Sequence, residues 1–215
     1  MDNIENLFNR TKTEILYKSD NDGVYETPHT GLIEYFVEVM AEASIFYGDI
    51  DFEYIQTKKG HIYAYGINED LSVLDVFSGI YTDELVNVEK KKIDTEFEKI
   101  QDFVIDLSNE DYVPIYDISE EEKSKIIANI KAALPKIKNI NMYFITNGKT
   151  RESSKTYNTY EKNNKIFSKK LYSITDLERL INNEGQSEID LNFQNFDKKI
   201  YVLDIPKITD EIKGY

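Results

Sequence analysis

Apolar residues recur at helical spacing from the first turn of the chain. Ile4, Leu7, Phe8, Thr11 and Ile15 share one face and predict an amphipathic helix over about residues 2–17. Asn21-Asp22-Gly23 and Pro28 break that pattern. A second helix is expected from about Thr30, with Ile33, Phe36, Val37, Met40 and Ala41 inward and Glu34, Glu38 and Glu42 spaced four apart. Gly48 ends it.

The period then changes from helical to extended. Phe52 to Gln56, His61 to Tyr65 and Leu71 to Phe77 are short runs of aromatic and β-branched residues, separated by Lys58-Lys59-Gly60 and Asn68-Glu69-Asp70. They predict a three-stranded antiparallel meander in one sheet over residues 52–79. A helix is expected from Lys91 to Leu107, with Ile93, Phe97, Ile100, Val104 and Leu107 as its buried stripe. Ser119 and Glu122 have the spacing of a capping box ahead of Ile126, Ile127, Ile130 and Leu134, and Pro135 closes that helix.

Asn141 to Thr146 reads as a buried strand, residues 147–164 as a long hairpin or mobile loop, and Ser173 as the cap of a last helix through Leu180, with Gly185 as its stop. Ile189 to Leu191 and Tyr201 to Leu203 are candidate closing strands. This order predicts an α/β (α+β) fold, a central mixed sheet with an antiparallel three-stranded meander flanked by helices, in one domain spanning residues 1–205.

Composition narrows the chemistry. A chain of 215 residues with 40% hydrophobic content can bury one full core. With no Cys it forms no disulfide, iron–sulfur cluster or thiolate zinc site of its own, which suits a reducing compartment. No segment approaches the roughly 18 uninterrupted apolar residues of a membrane span, and the first residues have no apolar leader, so a cytoplasmic location away from membranes is expected.

The net charge is −14 and unevenly spread. Residues 123–170 hold twelve Lys or Arg against Glu152 and Glu161, a local charge of +10 that leaves −24 elsewhere. The overall field repels phosphates, so any nucleic-acid contact is expected from this segment: Lys149, Arg151, Lys155, Lys169 and Lys170, interleaved with Tyr143, Tyr157, Tyr160 and Phe167. A solvated face is the plainer reading of such a run.

Metal-dependent phosphodiester cleavage needs clustered carboxylates for Mg²⁺ and a nearby lysine. Glu38 or Glu42 on the second helix and Asp75 on the third strand of the meander are the candidates, Glu38 and Asp75 foremost. The lysine expected two residues after the acid is replaced by Phe77. Glu89-Lys90-Lys91 has acid-x-Lys spacing but falls at a loop-to-helix junction, off the sheet. Asn147-Gly148-Lys149-Thr150 lacks the upstream glycine of a phosphate loop and reads as a turn. His29 and His61 have no Ser, Cys or carboxylate at motif spacing and read as satisfied or surface histidines. No cofactor is implied unless the carboxylates bind Mg²⁺.

Tyr35-Phe36-Val37-Glu38 through Gly60, His61-Ile62-Tyr63-Ala64-Tyr65 and Leu74-Asp75-Val76-Phe77 resemble the N-terminal region of bacterial abortive-infection phage-resistance (AIPR) proteins. Later landmarks keep the order: Leu134-Pro135, Met142 to Thr146 with Asn147-Gly148, Thr175 to Leu180, and Glu188 to Leu191. The likeness spans about residues 30–205 and implies a role in phage defence with a restriction-endonuclease-like core. It also implies a longer protein, with residues 206–215 opening a linker to a C-terminal region that would be this domain's partner, alongside nucleic acid or a phage component. Tyr63 stands where the family pattern can place Asp before the Gly-Tyr strand. The resemblance therefore leads to a nuclease-like, catalytically degenerate module for sensing or docking. An active Mg²⁺-dependent nuclease and an acidic binding or decoy protein are the alternatives.

Overall fold

The computed structural model describes residues 3–21, 27–46, 48–109, 111–112, 115–116 and 120–182. The expected closing strands, the Gly185 stop and the linker from residue 206 lie outside them.

Two apolar faces organise the molecule. Helices α1 (Asn3–Asn21), α2 (Pro28–Glu42) and α5 (Ile174–Ile181) cover one face of a five-stranded sheet, while α3 (Lys90–Leu107) and α4 (Glu121–Ala133) cover the other. The strands are β3 (Ala64–Ile67), β4 (Val73–Ile80), β5 (Asn139–Thr146), β6 (Tyr160–Lys162) and β7 (Lys165–Tyr172), ordered β3-β4-β5-β7-β6. β4, β5 and β7 are parallel, and both edge strands run antiparallel. A strand buried on both faces needs apolar residues at nearly every position. β5 meets this: Ile140, Met142 and Phe144 enter the α3 side, and Tyr143 and Ile145 the α2 side. The expected mixed sheet flanked by helices is therefore present.

The meander differs from expectation. β3 and β4 pair within the main sheet, but β1 (Ile55–Gln56) and β2 (His61–Ile62) form a separate two-stranded hairpin. The chain bends at Tyr63, whose N–H still donates to the Phe77 carbonyl at 2.8 Å. Leaving the sheet lets Ile55 and Ile62 bury completely with Phe97, Ile100 and Phe103 of α3. Gly60 permits the approach: a Cβ there would stand 1.9 Å from the Lys99 carbonyl oxygen of α3.

α4 has Glu120 as its N-cap with no side-chain cap bond, and the cap expected at Ser119 lies outside the described residues. Two further details depart from the pattern reading. Asn147-Gly148 is no hairpin, because β5 is followed by a parallel partner; the Asn147 side chain is buried, donating to the Thr82 carbonyl and accepting from the Thr82 N–H, both at 2.8 Å. The hairpin lies at Asn163-Asn164, both in the left-handed region that tight two-residue turns require. The cap of α5 is as expected: the Ser173 side chain caps the first turn and Asp176 reaches back to the Ser173 N–H at 2.9 Å.

Candidate functional site

β4, β5 and β7 place a polar row on the α2-side face, next to apolar core. Strand register sets Asp75 beside Asn141, and Phe77 beside Tyr143 and then Lys170. The Asn141 amide donates to Asp75 Oδ1 at 2.8 Å, and Lys170 Nζ donates to the Tyr143 hydroxyl at 2.9 Å while lying 4.7 Å from that ring's centre. Burial pushes the Asp75 carboxyl up against the opposing Asn141 bond and Lys170 charge. Burial pushes the Lys170 ammonium down, with Asp75 opposing. The Tyr143 hydroxyl is raised by burial and then by Asp75.

Asp75 opens onto a cleft of about 470 Å³ whose wall includes Asp49, Gly66, Asn68 and Glu69. Gly66 is required there, because a Cβ would lie 2.7 Å from the Asp49 carbonyl oxygen. The cleft does not fit Mg²⁺ as a phosphodiesterase would use it. That chemistry wants several converging carboxylates, and among the described residues no three His, Cys, Asp or Glu groups converge on one point. Asp75 is also engaged by an amide and faces a lysine.

The second candidate acid stands elsewhere. Glu38, half-exposed on α2, accepts from Lys18 Nζ of α1 at 2.7 Å, with Glu34 3.4 Å from the same ammonium. It is thus spent on holding α1 to α2, and Asp75 on holding β4 to β5. Phe77 is fully buried and stacks on Tyr143 at 4.5 Å between centroids.

Sequence reasoning missed a second polar cluster. Glu96 of α3 is 8% exposed. It accepts from Ser78 Oγ at 2.8 Å and from Lys99 Nζ at 2.8 Å, and lies 3.2 Å from His61 Nε2. Burial acts to raise its pKa, but His61, Lys99 and Ser78 together outweigh burial and hold it at about 2. His29 stacks on Tyr63, and burial lowers the pKa of His29. The carboxylate lies between Ser78 and His61, so the histidine cannot take the serine proton and the trio is no nucleophile–base pair. The available signal was Ser78, a polar residue in the mostly apolar strand β4.

The five basic candidates do not form one surface. Lys169 and Lys170 point to opposite faces of β7, as neighbours on a strand must. Lys169 Nζ lies 5.2, 5.5 and 5.8 Å from the ring centres of Phe97, Tyr157 and Tyr160, and burial lowers its pKa. Lys155 is exposed on a 3₁₀ turn, Ser154–Thr156. Lys149 bridges Asn87 in parallel, which brings Lys149 and Arg151 beside the start of α3. The interleaved rings are engaged: Tyr143 on Phe77, Tyr160 on Phe167 at 5.5 Å, and Tyr157 under Lys90 and Lys169.

No curated protein and no solved structure matches this chain. The family model described as "Abortive infection phage resistance protein N-terminal domain" matches residues 32–182, from α2 to the end of α5, and includes both polar clusters. The chain therefore belongs to the abortive-infection phage-resistance N-terminal domain family.

Proposed function

We propose that this domain is a nuclease-like module with a degenerate cleavage centre, and that it serves phage defence in the bacterial cytoplasm by sensing or docking a partner rather than by cutting. The observation that carries the reading is the fate of the position two residues after Asp75. Phe77 there is fully buried and stacked on Tyr143, while Asn141 engages the Asp75 carboxylate. An acid tied into a sheet beside an aromatic core neither gathers metal ions nor activates water. The partners proposed are the C-terminal region of a longer protein, nucleic acid or a phage component.

The test is incubation of the purified 215-residue chain with duplex DNA, single-stranded DNA and RNA in Mg²⁺ and in Mn²⁺. The expected result is intact substrate. Cleavage that disappears in Asp75→Ala overturns the reading.

One observation favours an active Mg²⁺-dependent nuclease as the second reading. Lys170 arrives beside Asp75 from another strand, where a catalytic lysine displaced from its usual strand would stand. Under that reading Lys170→Met abolishes cleavage as completely as Asp75→Ala. The acidic-decoy alternative lacks such support, because a decoy gains from uniform negative charge and residues 123–170 are basic.

A further inference from the structure

Two short basic runs far apart in sequence, Lys90-Lys91-Lys92 and Lys149-Thr150-Arg151, are brought together past the C-terminal end of the central strand β5. The Val88 N–H donates to the Lys149 carbonyl at 2.8 Å, and the Lys149 N–H donates to the Val86 carbonyl at 2.9 Å. These bonds clamp the segment leading into α3 against the chain leaving β5. Gly148 makes the contact close: a Cβ there would lie 2.9 Å from a Val88 methyl.

Several cations of this acidic protein are neutralised by a carboxylate. Lys12, Lys18, Lys59, Lys99, Lys123 and Lys125 each reach a carboxylate, and Lys90 reaches Asp94. Lys91, Lys92, Lys149 and Arg151 do not meet one among the described residues. Lys91, Lys92 and Arg151 are exposed, and Lys149 is half-exposed. With Glu89 and Glu152 counted, residues 89–92 and 149–152 hold five basic groups against two acidic ones. The first turn of α3 holds no acid of its own, and of its three lysines only Lys90 is paired among the described residues, with Asp94 of the next turn. Cations at a helix N-terminus cost stability, so the arrangement is not explained by the fold's own needs.

We infer that Lys91, Lys92, Lys149 and Arg151 form a contact surface for the phosphate backbone of nucleic acid. The inference rests on the docking reading above and names the partner. Phosphate is favoured over an acidic protein because neighbouring unpaired point charges match a regularly spaced polyanion. Tyr143, Tyr157 and Tyr160 are already engaged by the core or by lysines, so none of these three rings is free to stack on bases. Binding is therefore independent of sequence, and duplex binds at least as well as single strand.

The experiment is fluorescence anisotropy of labelled duplex and single-stranded DNA with the full chain, from low to moderate salt. Four phosphate contacts give a log–log salt slope of about −3 to −4 on duplex. Reversing Lys91, Lys92, Lys149 and Arg151 together to Glu is expected to weaken binding at least tenfold, with the fold verified by circular dichroism. The control reverses four exposed lysines elsewhere, Lys58, Lys136, Lys138 and Lys162, for the same change in charge, and is expected to lose much less. Equal losses in the two variants, no binding by the wild type at low salt, or equally tight binding of poly-glutamate overturns the inference. Cleavage of the labelled DNA would sink the degeneracy reading alone, so the two failures are distinguishable.

Discussion

Asn141 Nδ2 lies 2.8 Å from Asp75 Oδ1 across two adjacent parallel strands, and this bond opposes the effect of burial on the half-buried acid. Burial alone would raise the Asp75 carboxyl further; the amide and Lys170 oppose it, and the net direction is still upward. The folded state thus holds the Asp75 proton more tightly than the unfolded chain does. Stability from this group is greatest at low pH and is lost as pH rises through its raised folded value. Asp75→Asn is accordingly expected to stabilise the fold at neutral pH, with the gain shrinking as pH falls toward the ordinary carboxylate range. Urea denaturation at several pH values measures this, and a gain that grows on acidification would refute it.

Asn141→Ala removes the donor and leaves the acid. The expected cost is about 1–3 kcal/mol at neutral pH, the usual penalty for stripping a buried polar group of its partner. Combining it with Asp75→Asn should recover part of that loss, because the two residues share one interaction. Additive effects in the double variant would mean that the bond contributes little.

Gly60→Ala is expected to be severe although the added group is one methyl. The new Cβ meets backbone atoms, the Lys99 carbonyl oxygen at 1.9 Å and the Phe103 nitrogen at 2.4 Å, and no rotamer change relieves either contact. The β1–β2 hairpin must lift off α3 and expose Ile55 and Ile62. A loss of about 3 kcal/mol or failure to fold is expected. An unchanged melting temperature would show that the hairpin docks more loosely than described.

How much of this was legible varies with how the signal is carried. α1, α2, α3 and α5 were readable because long apolar stripes survive any error in tertiary contact. β4 and β5 were readable because strands buried on both faces are apolar runs. β7 was not: Lys165, Lys169 and Lys170 interrupt its period, and Lys169 is tolerated inward only because three rings surround its ammonium. At the site, Asp75 and the obstruction at Phe77 could be read from spacing. In the sequence Lys170 is only one member of a charge run, since its place beside Asp75 depends on strand register. His61 and Glu96 meet across 35 positions, beyond any local motif.

The ring cage around Lys169 gives a graded prediction. Lys169→Met keeps an apolar stem of similar length and removes the cation–π attraction, so a loss of about 1–2 kcal/mol is expected. Lys169→Ala also empties the space between Phe97, Tyr157 and Tyr160, and its cost should be larger. Equal stability of wild type and Lys169→Met in thermal denaturation would show that the charge contributes nothing and that packing alone fills the cage.

Glu96 supplies the clearest dependence on pH. Its carboxyl is held at about 2 against an ordinary 4.5, because His61, Lys99 and Ser78 all favour the charged form and together overcome burial. The folded state therefore binds this proton more weakly than the unfolded chain. The stabilisation is fully present above about pH 4.5 and is lost as pH falls toward 2, and a difference of this size is worth on the order of 3 kcal/mol. Glu96→Gln keeps the shape but gives up the charge, so it should lose roughly that amount at pH 7 and much less at pH 3. Unfolding free energies of wild type and Glu96→Gln, measured in urea at both pH values, should therefore converge on acidification. Curves that stay parallel would mean that the carboxylate is not the source of the stability, and that Ser78, His61 and Lys99 are held in place by the surrounding packing instead.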